Sequence, residues 1–389
     1  MRFDYDYIIA GGGAAGLSLA YAIYREPRLR ERRVLLLEPA AKNQNDRTWS
    51  FWTDQPTPFD HLLAGEWRQL AFRSPGLDVV RPLGRYRYAT LRGLDFYRAV
   101  HAALAERPAQ FTRLATPVEQ LETTAVGAAA HTPLGTFTAR YAFDSRPPGL
   151  ERRPDRRYLW QHFVGWEIET DFDAFDPATP VFMDFRGPQH HECRFMYVLP
   201  FEARRALVEY TLFSGTLLPR EEYEAALREY LHRELRGRPY RIRETEQGAI
   251  PMTDHAFADR SGPNIVHLGT RGGRVKASTG YAFLRMQQHA ARLTAALAAT
   301  GQLPADLTGD QWQFRVFDSL LLDIMQRRGE QTQRIFTELF QRNPVERILA
   351  FLDERTSWPD NLRIMQSVTP WPFLRSIVHL LRGRPGQRH

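Results

Sequence analysis

An α/β fold with a nucleotide-binding half, a sheet-rich insert and a helical C-terminus follows from three features of this 389-residue chain. The first is Tyr5-Asp-Tyr-Ile-Ile-Ala-Gly-Gly-Gly-Ala-Ala-Gly16, an apolar strand that ends in Gly11-x-Gly13-x-x-Gly16 and opens an Ala/Leu-rich helix. The second is a series of short alternating or aromatic segments between about residues 155 and 250. The third is the region beyond Leu303, where apolar residues recur at helical one-face spacing.

At the N-terminus, the first glycine permits a tight turn, the second lets a pyrophosphate approach the backbone, and the third lets helix and strand pack closely. The phosphates then face a helix N-terminus. A second strand, Arg33-Val-Leu-Leu-Leu-Glu38, ends in the acid that such a unit needs on the adenosine ribose. Gly11, Gly13, Gly16 and Glu38 therefore form a Rossmann-type dinucleotide site. A helical pattern through Leu94, Phe96, Tyr97, Val100 and Leu104, and the strand Arg140-Tyr-Ala-Phe-Asp-Ser-Arg146 with its acidic turn, continue this domain.

The insert is predicted to contain strands from Tyr158 to Glu169, Val181 to Phe185, Arg194 to Pro200 and Ala206 to Phe213, suited to roofing a substrate cavity. The nucleotide domain resumes at Asn264-Ile-Val-His-Leu-Gly269, followed by a second glycine-rich turn with Gly272, Gly273 and Gly280 and a helix starting near Tyr281. Phe317, Leu320, Leu321, Ile324 and Met325, then Ile335, Phe336, Leu339 and Phe340, read as core stripes of C-terminal helices. The tail from Arg375 carries Arg382, Arg384 and Arg388 among Leu, Ile and Val, the composition of an interfacial segment. The expected division is residues 1–150 and 250–303 for the nucleotide domain, with part of 50–90 joining the substrate domain. The substrate sheet takes 151–249, and a membrane-facing helical region takes 304–389.

The net charge of +7 is almost entirely arginine, Lys42 and Lys276 being the two lysines. Such a surface suits anionic lipid; zinc-finger, helix-turn-helix and aromatic-basic sheet signals are absent, which argues against nucleic acid. No metal site is expected. The single cysteine, Cys193, excludes an intramolecular disulfide and fits a reducing cytosol. The apolar N-terminal run begins at Asp4 and Asp6 and breaks at the glycine turn, so it reads as fold and not as a signal peptide. No run approaches the roughly 20 apolar residues of a spanning helix.

One complete fingerprint at the N-terminus and a second glycine turn late in the chain suit FAD held extended, not NAD held alone. The second turn aims a helix N-terminus at the flavin pyrimidine, where its positive end stabilises an anionic reduced ring. No second complete fingerprint serves a dedicated nicotinamide domain.

Four further segments, Asp46-Arg-Thr-Trp-Ser-Phe51, Met183-Asp-Phe-Arg186, Leu207-Val-Glu-Tyr-Thr211 and Gly269-Thr-Arg-Gly-Gly-Arg-Val-Lys-Ala-Ser-Thr-Gly-Tyr281, complete a pattern with the N-terminal turn. In this order, and with Asp144-Ser-Arg-Pro and Pro370-Trp-Pro-Phe373, the chain closely resembles bacterial flavin-dependent lycopene β-cyclases along essentially its whole length. The resemblance implies an enzyme on the inner, cytoplasmic face of the cell membrane that turns the ψ-ends of lycopene and related carotenoids into β-rings. It further implies reduced FAD as the active form, NAD(P)H as electron source and no net redox change. Leu207-Val-Glu-Tyr-Thr211 aligns with the family's Phe-Leu-Glu-Glu-Thr, which puts Glu209 at the functionally important first glutamate and Tyr210 in place of the second. Lys276-Ala277 replaces the family's His-Pro in the late turn, leaving its glycines intact. No oligomeric state is implied.

The chemistry asks for such an acid. Protonation of an acyclic end at C2 leaves a tertiary cation at C1, the C5–C6 alkene attacks it, and loss of the C6 proton gives the β-ring. The cation needs fixed negative charge or π-faces in a site free of water. Glu209 is the candidate catalytic residue, as proton donor or as carboxylate near the cation. Trp49, Phe51, Trp160, Phe163, Trp166 and Tyr197 are candidates for the tunnel lining, against the alternative that they are core. Asp184 and Arg186 read as a sheet ion pair. Two other functions fit a flavin fold, a monooxygenase or halogenase and a non-catalytic carotenoid-binding flavoprotein; the halogenase Trp-x-Trp-x-Ile-Pro motif is absent.

Overall fold

Two sheets face a shared interior in the computed structural model, which describes residues 3–149, 152–307 and 311–382. The nucleotide sheet runs in the order Phe111–Leu114, Val34–Leu37, Tyr5–Ala10, Gly135–Asp144, with Ile265–His267 paired to the last of these. These pairs are parallel, and Val34–Leu37 is buried at every position, as expected of a strand covered on both faces. Antiparallel strands Ala128–Thr132 and Gln120–Thr123 extend its edge. Helix Ala14–Arg25 packs on helix Phe283–Thr300, where Gln287 Nε2 donates to Ser18 Oγ at 2.5 Å. The latter helix stops at Gly301, whose left-handed φ of +66° closes the last turn.

The three glycines of the first turn have distinct physical roles. Gly11 takes φ +102°, and a Cβ on Gly16 would lie 2.0 Å from the Gly11 carbonyl oxygen, so helix and strand can approach only without a side chain there. At Gly13 a Cβ would meet nothing within 4 Å, because that side opens onto the interior space.

The second sheet forms a roof in the order Arg241–Thr253, Tyr158–Glu169, Arg205–Ser214, Cys193–Glu202, Val181–Asp184, Gln69–Ser74, Leu77–Pro82. Its last two strands arrive from early in the chain, Gln69–Ser74 pairing in parallel with Val181–Asp184. A small third sheet of Thr48–Thr53, Arg87–Arg92 and Leu63–Trp67 joins the two halves. Helix Arg220–Glu234 covers the outer face of the roof through Tyr223, Leu227, Tyr230 and Leu231. The C-terminal helices close the far end, where Phe340 stacks on Phe72 with ring centroids 4.2 Å apart and Phe336 stacks on Phe185. Each such fully buried ring contributes roughly 1.5–3 kcal/mol by removal from water. Arg384, Arg388 and the side chain of Arg382 lie outside the described residues.

Candidate active site

Between the nucleotide sheet and the roof lies a cavity of about 900 Å³. At one end are Gly11, Gly13, Ala14 and Glu38, with Lys42, Arg47 and Arg146 around them; Gly269, Thr279, Gly280 and Ala282 come from the second turn. Neither adjoining helix has a side-chain cap at its N-terminus, Gly13 and Ala282 being the cap positions, so both present backbone N–H groups to this space. The buried Gln161 Oε1 and Thr279 Oγ1 on its wall have no hydrogen-bond partner among the described residues. A Cβ on Gly280 would stand 1.8 Å from that Gln161 oxygen, the movable end of a side chain, and the left-handed φ of +73° is what favours glycine there. Two uncapped helix N-termini, basic side chains beside the first turn and orphaned polar atoms near the second fit an extended, anionic dinucleotide.

Glu38 accepts from the Gly12 N–H at 2.6 Å and the Ala40 N–H at 2.8 Å, which holds its carboxylate at the end of its strand beside the turn. Gly16, Gly272 and Gly273 do not line the cavity. Gly272 acts as Gly16 does, since a Cβ there would sit 2.4 Å from the His267 carbonyl oxygen. Gly269, Gly273 and Gly280 take φ of +56°, +70° and +73°. The helix begins at Phe283, two residues later than the expected Tyr281. Lys276 is buried away from the cavity and pairs with Asp318 and Glu354 at 2.8 Å, tying the second turn to the C-terminal helices.

Toward the roof the lining becomes aromatic and apolar, with Trp49, Trp160, Phe163, Phe195, Tyr197 and Phe213 among its members. Glu209 is buried on this wall and accepts a 2.5 Å hydrogen bond from Thr211 Oγ1, two residues along the same face of its strand. Tyr197 stands directly opposite it on the neighbouring strand. The Tyr197 hydroxyl meets that of Tyr88, which reaches Tyr281 at 3.1 Å. Burial first, and then the like charge of the nearby Glu246, push the Glu209 carboxyl up to about 8. A carboxyl so placed is protonated at neutral pH and faces the cavity: a stored acid in apolar surroundings.

Two expected lining residues stand elsewhere. Trp166 lies on the opposite face of its strand from Phe163, as an odd separation requires, and packs against Tyr240 under the outer helix. Phe51 is buried in the nucleotide-domain core, stacked on Phe283. Asp184 is a buried ion-pair member, bound by Arg186 at 2.5 Å and by the Tyr230 hydroxyl at 3.2 Å. Tyr210 also points away from the cavity, with its ring 6.4 Å from Tyr223. An acid at that position would lie beneath the outer helix. Sequence reasoning missed Gln161, Thr211 and Phe213; the alternation of Glu209, Thr211 and Phe213 along one strand was the available signal.

The description "lycopene cyclase protein" belongs to a family model that matches residues 6–378. This chain is a member of the lycopene cyclase family. It is 29% identical to the lycopene β-cyclase of a Paracoccus strain over 409 residues, covering 98% of each chain. With the lycopene β-cyclase of Pseudescherichia vulneris the identity is 26%, covering 98% of this chain and 99% of the relative. Among solved structures, a flavoprotein/dehydrogenase from Cytophaga hutchinsonii aligns with a TM-score of 0.62 at 12% identity, covering 97% of this chain and 99% of that one. A geranylgeranyl bacteriochlorophyll reductase-like protein from Thermoplasma acidophilum gives 0.59 at 13%, covering 97% and 99%. A flavin-dependent brominase gives 0.58 at 13%, covering 98% and 100%. These neighbours share the α/β flavoprotein fold of this family member.

Proposed function

We propose that this chain is a lycopene β-cyclase that converts the ψ-ends of lycopene into β-rings, by way of γ-carotene to β-carotene, with FAD bound in its reduced form. The observation that carries the reading is Glu209, a carboxyl buried on the aromatic wall of a cavity that continues to two glycine turns, where burial favours its protonated form. Gly11, Gly13 and Glu38 would hold the adenosine end of FAD, and the second turn with Ala282 and Phe283 would receive its isoalloxazine end. When bound, the reduced flavin would supply negative charge and a π-face.

The Glu209 O–H bond breaks as a C–H bond forms at C2 of the substrate, leaving the cation at C1. The apolar lining excludes water that would quench it, and Phe163, Tyr197 and Phe213 offer π-faces. Bond formation between C1 and C6 moves the cation to C5; the C6 proton then leaves, and Glu209, now a carboxylate, is the base within the cavity that takes it. The proton balance is zero, so each turnover leaves acid and flavin as they began. NAD(P)H serves only to reduce the flavin initially.

Substrate of this kind resides in lipid, and a membrane contact is part of the reading. Trp312, Val316, Trp358, Leu362, Trp371, Leu374, Ile377, Val378 and Leu381 are exposed on three C-terminal helices, Trp312 and Trp358 lying 6.4 Å apart. Apolar insertion by these residues, with arginines nearby, suits one leaflet of an anionic membrane. Among the described residues no helix is long and apolar enough to cross a membrane.

Lycopene added anaerobically to FAD-loaded protein after one reduction is the test. Many equivalents of β-rings per reducing equivalent are expected by chromatography. Ring formation matched mole for mole by NAD(P)H oxidation, or product formed only with oxygen, overturns the reading in favour of redox or monooxygenase chemistry.

A further inference from the structure

A second carboxyl reaches the same point of the roof from the other side. In strand Tyr158–Glu169, Gly165 pairs directly with Glu209 on one neighbour and with Glu246 on the other. Residues directly opposite in antiparallel pairs project to the same face, so both glutamates stand on the face of Gly165. The glycine leaves that face open. A Cβ at 165 would lie 3.2 Å from Glu246 Cγ and 3.6 Å from Glu209 Cβ, in the space over which the two side chains approach. Any larger residue in the middle strand would screen one carboxyl from the other.

The surroundings of the two acids differ. Glu209 faces the cavity, with Thr211 on its own strand, Tyr197 opposite and Tyr281 from the second turn near it. Glu246 stands behind, where Thr48 Oγ1 donates to its Oε2 at 2.7 Å. Arg92 from strand Arg87–Arg92 faces it, as do Glu244 on its own strand and Glu167 on the middle strand. Arg92 bonds Glu244 and lies 3.5 Å from Glu167, which Arg205 also meets at 3.5 Å. Thr48 and Arg92 favour the charged form of Glu246 against burial and the like charges of Glu244 and Glu167, while Glu209 has one hydroxyl donor and aromatic neighbours.

Resting on the cyclase reading, we propose that Glu246 is a positioning residue of the reaction: as a carboxylate behind Glu209, it keeps the Glu209 proton in place between turnovers and draws it back after the ring closes. Glu246 exchanges no proton with substrate. When Glu209 gives its proton to C2, two carboxylates face each other across Gly165, the arrangement that like charges disfavour most, and return of the C6 proton to Glu209 relieves it. During the short life of the cation both negative charges lie on one side of it. The acid that would follow Glu209 in a Glu-Glu pair cannot do this, because position 210 points to the other face of the sheet. Burial raises both carboxyls, Glu246 to about 7, and the mutual repulsion orders their titration as a pair.

The test compares FAD-loaded wild type with Glu246→Gln, which keeps shape and hydrogen bonding to Thr48 but removes the charge. Loss of a like charge lowers the point at which Glu209 ionises, so the alkaline limb of the cyclisation pH profile is expected to move down by about one unit. Relative to wild type the variant loses activity about fivefold at pH 8, the deficit shrinking as pH falls below the ionisation of Glu209. The infrared band of the protonated carboxyl, assigned by its loss in Glu209→Gln, moves its midpoint in the same direction without any substrate present. Glu246→Asp, which keeps the charge but withdraws it, gives a smaller shift and serves where the Gln variant fails to retain flavin. An alkaline limb and band midpoint unmoved in a folded, flavin-bound variant overturn the pairing while leaving the cyclase reading intact. A wild type that forms no β-ring, with the band midpoint still moving, overturns the cyclase reading and leaves the pairing standing.

Discussion

Glu209→Gln should cost the protein its activity and make it more stable, with the gain confined to neutral and alkaline pH. In the folded state the Glu209 carboxyl ionises near 8, against about 4.5 for the ordinary group. A carboxyl raised on folding binds its proton more tightly in the native state, so its contribution to stability is fully present below pH 4.5 and is lost as pH rises through 8. At 1.36 kcal/mol per pKa unit the wild type gives up on the order of 4 kcal/mol over that window. An amide does not titrate and gives up nothing. For a chain of this length such a difference corresponds to about 5 °C in Tm. Thermal melts of FAD-loaded wild type and variant from pH 5 to pH 9 are therefore expected to coincide at the acid end and separate by about 5 °C at the alkaline end. Ring formation by the same variant falls by at least the roughly 10²-fold typical of a lost acid-base group. A variant no more stable than wild type at pH 9, or more stable by the same margin at every pH, refutes the buried, neutral acid.

Three further outcomes follow from the first glycine turn and the exposed helices. Gly13→Leu is expected to fold and to lose FAD affinity by at least tenfold in a fluorescence titration, because its side chain fills the open side of the turn; Gly16→Ala, whose Cβ would collide with Gly11, is expected to be lost to the insoluble fraction. Trp312→Ser combined with Trp371→Ser, neither of which lines the cavity, should reduce flotation with anionic liposomes several-fold while leaving FAD affinity unchanged; undiminished flotation moves the membrane contact to another surface.

Whatever depends on short-range backbone geometry is legible in the residues alone. A tight turn, a close approach of helix to strand and a left-handed residue each require glycine locally, so Gly11, Gly13, Gly16, Gly269 and Gly280 were legible without any fold. Glu209 stood out through the resemblance of the segment around it to the family's, not through backbone geometry. The strand period of two carried more than was taken from it: Phe163 and Trp166 cannot share a face, and neither can Glu209 and Tyr210. Tertiary structure alone decided which strands are neighbours and in what register, because pairing between distant segments leaves no local mark. It carried Gln69–Pro82 from the early chain into the roof, sent Phe51 inward against Phe283, and put Glu246 level with Glu209 on either side of Gly165. The carboxyl proposed as the acid could be singled out along the chain; the charge proposed to tune it comes from a strand that only the register of the sheet brings alongside.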